Sequence, residues 1–144
     1  MSLYGAYDEG NVFAKILRGE IPAVKVLEDE EALAFMDIFP QMRGHTLVIP
    51  KQTQARNFLE FPAERLGAYM QRVQRVTAAV VKALKPDGVR VITFNGEASG
   101  QTIYHLHFHI MPIWRGQSLQ LHGAGPQADP AELRAIADAI KAAL

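Results

Sequence analysis

The sequence predicts an α+β domain: an antiparallel five-stranded sheet with a short N-terminal helix, a long central helix and a C-terminal helix. Three observations predict it. Five short apolar, β-branched runs are punctuated by Gly and Pro. No helical stretch separates the first three runs, so they lack the crossovers a parallel sheet needs. Helical spacing of apolar residues is sustained only near residue 12, over 62–84 and after residue 129.

Residues 1–10 read as a loose arm. "NVFAKILRGEIP" reads as a helix: Asn11 caps it, Val12, Phe13, Ile16 and Leu17 form an apolar stripe, and Gly19 and Pro22 stop it. "AVKVLED" and "EALAFMD" read as two strands joined by an acidic turn, and "HTLVIPK" as a third, ending at Pro50. From about Pro62 to Leu84, apolar residues recur at Leu66, Tyr69, Met70, Val73, Val76, Val80, Val81 and Leu84, the stripe of an amphipathic helix. "VRVITFN" is the fourth strand and "IYHLHFHIMPIW" the fifth. Asp129 and Pro130 open the last helix as cap and first-turn proline.

Composition narrows the function. The chain has 144 residues, 49% hydrophobic and 21% charged, the profile of one globular domain. Its 15 basic and 15 acidic residues balance, which argues against a partner held by bulk charge such as nucleic acid. A small anion bound by local donors stays open. The absence of cysteine excludes disulfides, iron–sulfur clusters and thiolate zinc sites. "MSLYGAYDEGN" has no signal-peptide pattern, and no apolar run approaches the ~18 residues of a membrane span. The expected location is cytoplasmic, with no membrane partner.

Three of the five histidines stand at alternate positions in "YHLHFHIMP", residues 104–112. On a strand His105, His107 and His109 share one face, and Leu106, Phe108 and Ile110 share the other. Same-face neighbours lie about 6.5–7 Å apart, so three on a straight strand do not converge on one metal ion. A metal reading needs one pair plus His45 or His122, with no Asp, Glu or Cys beside the triplet in sequence. A solvated face with chance histidines is the plain reading. Acid–base and nucleophilic work by imidazole is the third, and it fits the preceding loop. In "NGEASGQT", residues 95–102, Gly96 and Gly100 permit a nest of N–H groups that holds phosphate, with Ser99, Gln101 and Thr102 as further donors. An ordinary hairpin loop is the alternative for that stretch alone.

"GQTIYHLHFHIMP" resembles the signature of the histidine-triad (HIT) family of nucleotide hydrolases and transferases, in which three histidines alternate with apolar residues. "FAKILRGEIPAVKVLEDEEALAFMDIFPQMRGHTLVIPK", residues 13–51, resembles the branch that hydrolyses purine nucleoside phosphoramidates. The resemblance spans about 11–114, leaving 1–10 as an arm and 115–144 as a C-terminal extension with a helix.

The resemblance implies an enzyme that cleaves a bond to the α-phosphate of a purine nucleotide conjugate (of AMP or GMP) through a nucleotidyl-histidine intermediate. His107 would be the nucleophile. His109 would touch the phosphate or leaving group, and its carbonyl would orient His107. His105 would support the site, paired with His45. Phe13, Ile16, Phe35 and Ile38 would line the base pocket, and Asp37 would accept from the ribose hydroxyls. Asn95, Gly100, Gln101 and Thr102 would hold phosphate and ribose oxygens. A core, turn or strand-end role is the alternative for His45, Asp37 and the four apolar residues.

The family pattern also implies a homodimer with a continuous ten-stranded sheet. Many bacterial relatives carry CxxC at the first helix as half of a zinc site. Here those positions are Asn11 and Ala14, so no metal and no other cofactor is expected. A dinucleoside polyphosphate hydrolase, or a nucleotide-binding regulatory protein with weak hydrolysis, remains the alternative. Trp114, Arg115 and His122 have no role assignable from sequence.

Overall fold

The two faces of one sheet do different work. The computed structural model describes residues 3–119 and 125–144. Its elements are α1 (Val12–Leu17), β1 (Lys25–Glu28), β2 (Ala32–Met36), β3 (Thr46–Pro50), α2 (Leu66–Leu84), β4 (Gly88–Ile92), β5 (Phe108–Ile113) and α3 (Pro130–Ala142). The strands form one antiparallel sheet in the order β1-β2-β3-β5-β4.

Strands β2 and β3 are buried along their whole length, which explains their nearly unbroken apolar sequence. Ala32, Ala34, Met36 and Val48 face α2 and α3, joined by Phe108 and Ile110 of β5. Leu33, Phe35, Leu47 and Ile49 face the other way and pack with Phe13 and Ile16 of α1. Each fully buried Leu, Ile or Phe contributes roughly 1.5–3 kcal/mol, so both faces anchor the sheet.

α2 buries Tyr69, Val73, Val76, Ala79 and Val80, and the Tyr69 hydroxyl donates to Val48 O at 2.7 Å. Val81, expected in the buried stripe, is instead 37% exposed. It adjoins Lys85, whose left-handed φ of 52° ends the helix. Asn11 Oδ1 caps α1 at Ala14 N, and Asp129 Oδ1 caps α3 at Ala131 N. Ala128 N donates to Ile38 O at 2.9 Å, tying the segment before α3 to the loop after β2.

Two sequence expectations are corrected. The fifth strand begins at Phe108 rather than Ile103: residues 103–105 bend, and Leu106 N bonds to Ala55 O instead of to a ladder. Pro50 has no N–H with which β3 could extend that ladder. The alternation of faces nevertheless persists through the bend, because Leu106 joins the helix-side core. The described part of the arm, residues 3–10, is also not loose. Asn57 Nδ2 donates to Leu3 O at 2.7 Å, and Arg18 Nη1 donates to Glu9 O at 2.8 Å.

Gly44 sets the entry to β3. Its φ is 89°, and a Cβ there would overlap Leu84 Cδ1 and approach Pro112 Cγ to 3.0 Å. Gly44→Ala is expected to destabilise the fold by more than about 1 kcal/mol. Denaturant unfolding followed by circular dichroism measures it, and an unchanged midpoint would contradict this reading.

Candidate active site

A cavity of about 310 Å³ opens between α1, the loop after β2 and the start of β5. Phe13, Ile16, Phe35, Asp37, Ile38, Thr102, His107 and His109 line it, with Ile21, Pro22, Ala23, Phe39 and Ile103. A larger depression over Leu3, Tyr4 and residues 95–99 is shallow and holds no histidine. Chemistry therefore singles out the smaller cavity.

The sheet register builds it. Phe35 pairs with Leu47, and Leu47 with His109, so a wall of side chains runs across three strands on the α1 face. Phe13 meets the His107 ring edge-on at 4.9 Å, and Phe94 lies 5.1 Å from the His109 ring. All three triad histidines and His45 are buried.

Their partners assign the tautomers. His107 Nδ1 lies 2.8 Å from His105 O. A carbonyl only accepts, so the proton is on Nδ1, and Nε2 carries the ring's lone pair. Thr93 Oγ1 donates to His107 O at 2.8 Å and fixes the backbone there. His105 Nε2 lies 3.0 Å from Pro50 O, so that nitrogen is protonated and Nδ1 accepts from the Tyr7 hydroxyl at 2.7 Å. Gln41 N donates to His45 Nδ1 at 3.2 Å. His45 Nε2 then donates to His109 Nδ1 at 2.9 Å, which leaves the His109 proton on Nε2. One cavity histidine presents a lone pair and its neighbour a proton, with ring centroids 4.9 Å apart.

This geometry changes several expected pairings. The carbonyl that orients His107 belongs to His105, not His109. His45 pairs with His109, not His105, because β3 and β5 bring Leu47 opposite His109 and thus set His45 near its ring. His45 and His105 stand behind the cavity wall. An acid does accompany the triad in space: Asp37 Oδ2 is 3.6 Å from His45 Nδ1, while Oδ1 accepts from Phe39 N at 2.8 Å.

Of the four expected phosphate-loop residues, only Thr102 lines the cavity. Asn95 Oδ1 accepts from Phe58 N, Gly100 N donates to Glu97 O, and the Gln101 side chain bridges Gly96 N, Arg56 O and Ile103 O. Gly96 and Gly100 do take positive φ, but the amides of Gly96, Ser99, Gly100 and Gln101 all bond within the loop. The loop is thus a rigid frame rather than an open nest. Trp114 N bonds Gln117 Oε1 and Arg115 N bonds Asp87 Oδ2, both away from the cavity. His122 lies outside the described residues.

The zinc half-site of relatives does not fit. Asn11 Oδ1 is the α1 cap, and Ala14 has no donor atom. Asp37, His45 and His109 do bring ligand atoms within 4.8 Å of one another. The 2.9 Å between the His45 and His109 nitrogens is a proton-shared contact, shorter than two nitrogens each about 2.0–2.1 Å from a tetrahedral ion adopt. A metal there requires the pair to separate.

Comparisons with known proteins agree with this geometry. A HIT domain is matched over residues 18–115. The HIT-like protein of Bartonella henselae, described as involved in cell-cycle regulation, superposes with a TM-score of 0.88. It is 47% identical and covers 96% of this chain and 100% of its own. An adenosine 5'-monophosphoramidase of Schizosaccharomyces pombe is 41% identical over 101 residues, 70% of this chain and 72% of that protein. An adenylylsulfatase of Arabidopsis thaliana is 38% identical over 117 residues, 77% of this chain and 59% of that protein. The fold and the buried triad define a histidine-triad protein. The chain belongs to the HIT family.

Burial lowers the His105 pKa to about 4, opposed by its bond to Pro50 O. The folded state therefore keeps the ring neutral, while the unfolded chain takes up a proton as pH falls through 6.5. The ring's contribution to stability is full above that pH and declines toward pH 4, by up to about 3 kcal/mol. Denaturant titrations across this window should show the decline, and His105→Gln should flatten it. Parallel curves for the two proteins would refute the assignment.

Proposed function

We propose that the protein is a nucleotide hydrolase that cleaves a bond to the α-phosphate of purine nucleoside phosphoramidates or related nucleotidyl conjugates. The observation that carries this reading is the pairing of opposite tautomers in one cavity, a lone pair on His107 Nε2 beside a proton on His109 Nε2. The phosphoramidase and adenylylsulfatase names of the yeast and plant relatives support the class.

In this reading His107 Nε2 attacks the α-phosphorus. A P–N bond to imidazole forms as the bond to the leaving group breaks. The departing electron pair goes to the leaving nitrogen or oxygen, which takes its proton from His109 Nε2. Water then attacks the phosphorus and gives its proton back to His109 Nε2, the P–N bond breaks with its electron pair returning to His107 Nε2, and the nucleoside monophosphate leaves with both histidines restored. The apolar wall of Phe13, Ile16, Phe35 and Ile38 takes the base by contact, so selectivity among purines is modest. Asp37, at the cavity edge, accepts from the ribose hydroxyls. No metal enters any step.

The test is turnover of adenosine 5'-phosphoramidate in chelator, beside adenosine 5'-phosphosulfate and a diadenosine polyphosphate. We expect metal-independent release of AMP, and a loss of at least about 10³-fold in His107→Ala. A nucleotide covalently attached at His107 should be seen by mass spectrometry in single turnover. Tight AMP binding with no turnover of any conjugate would overturn the hydrolase reading and leave a binding protein.

The same reading includes a homodimer. Strand β4 is a sheet edge with largely exposed residues, among them Val91 at 42%, and Val81 of α2 is 37% exposed. An uncovered apolar edge favours pairing with a second copy. Sedimentation should give twice the chain mass, and Val91→Glu should shift it toward the monomer. A wild-type monomer at all concentrations would remove the dimer from the reading.

A further inference from the structure

The N-terminal arm reaches the catalytic group through one hydroxyl. Tyr7 Oη lies 2.7 Å from His105 Nδ1, across 98 residues of sequence. The arm is held on both sides of Tyr7. Leu3 O accepts from Asn57, while Glu9 O accepts from Arg18 and Glu9 Oε1 from Gln54 Nε2 at 3.1 Å. The rings of Tyr7 and His105 meet edge to face at 5.8 Å. Burial raises the Tyr7 pKa above the ordinary tyrosine value, which keeps the hydroxyl a donor at neutral pH.

The chemistry at His105 makes this contact consequential. Its Nε2 faces a carbonyl and must carry the proton, so Nδ1 needs a donor. Among the described residues, the ring's contacts apart from Tyr7 are a hydrogen bond to Pro50 O and the edge of Phe13 at 6.4 Å. The backbone oxygen of the same residue receives the His107 Nδ1 proton at 2.8 Å. Residues 103–105 form a bend, not a strand, so no ladder holds that carbonyl in place. The side chain of His105, pinned at both nitrogens, does so instead.

We propose that Tyr7 is a positioning residue of the active site: by donating to His105 Nδ1 it locks the ring and backbone of His105, and through the His105 carbonyl it fixes the tautomer and aim of His107. The arm is then part of the site rather than a tail. The kinetic half of this proposal rests on the hydrolase reading above, and the spectroscopic half does not.

The experiment compares wild type with Tyr7→Phe, which keeps the ring and deletes the hydroxyl, using ¹⁵N-histidine labelling. In wild type, His105 should show a protonated Nε2 and a hydrogen-bonded Nδ1, and His107 a single Nδ1–H tautomer. In Tyr7→Phe, the His105 Nδ1 signal should move downfield toward an unbonded acceptor nitrogen, and His107 should become a tautomer mixture. On a nucleoside phosphoramidate, kcat should fall on the order of tenfold, the equivalent of one hydrogen bond, with KM within about twofold. A Tyr7→Phe protein with unchanged His105 and His107 signals refutes the proposal whether or not turnover is seen. So does unchanged kcat in a wild type that turns over. Wild type without turnover, but with the expected nitrogen shifts, sinks the hydrolase reading while the positioning link stands. Thermal unfolding of both proteins confirms that the comparison is between folded states.

Discussion

The hydrogen bond from His107 Nδ1 to the carbonyl of His105, at 2.8 Å, is the constraint on which the site depends. An imidazole has one proton and one lone pair when neutral, and left to itself it exchanges tautomers. A fixed carbonyl removes the choice. The second constraint works in the opposite sense on His109. Gln41 N–H faces His45 Nδ1, so His45 donates onward and His109 must accept at Nδ1. Two neighbouring rings of the same chemistry thereby acquire opposite functions. Backbone groups decide both, and a backbone N–H or C=O cannot change its role with pH.

Burial makes these assignments firm. His45, His105 and His109 are at most 1% exposed. In such surroundings a misplaced proton leaves a buried donor facing a donor, a fault costing roughly 1–3 kcal/mol. The sheet supplies the dryness. Its other face is sealed by α2 and α3, and its site face is walled by Phe13, Phe35, Leu47 and Phe94. The glycine-bearing segment before the triad contributes stiffness. With the amides of Gly96, Ser99, Gly100 and Gln101 and the Gln101 side chain turned inward, it delivers Thr102, Ile103 and His107 to the cavity from a closed frame.

How much was legible in the sequence follows from which contacts are local. The apolar side of the triad alternation and the Asn11 and Asp129 caps are read from neighbouring residues, and each matches the structure. The cavity wall of Phe13, Ile16, Phe35, Asp37 and Ile38 came from the family resemblance and also lines the cavity found. The pairing of His45 was not legible, since it depends on the register of β3 against β5 across 64 residues. Asp37 beside His45, and Tyr7 beside His105, escaped for the same reason. Gln101 misled differently: a polar side chain in a Gly-containing loop looks like a ligand group, but burial at 2% exposure commits it to backbone partners.

Among the described residues no lysine or arginine lines the cavity, which bears on how a phosphate could be processed there. Without a fixed cation, the ground-state anion gains little from charge. In the proposed reaction the compensating charge arises when it is needed. Attack turns His107 from a neutral ring into a cationic, phosphorylated imidazolium. The Nδ1–H···O=C bond to His105 then becomes charge-assisted, and such bonds are roughly twice as strong as neutral ones. The stabilisation is therefore greater along the reaction coordinate than in the substrate complex, which is the condition for accelerating a step rather than only tightening binding. A rigid His105 carbonyl is what allows that gain without reorganisation. A lysine in the same cavity would bind substrate and product alike and lose this difference.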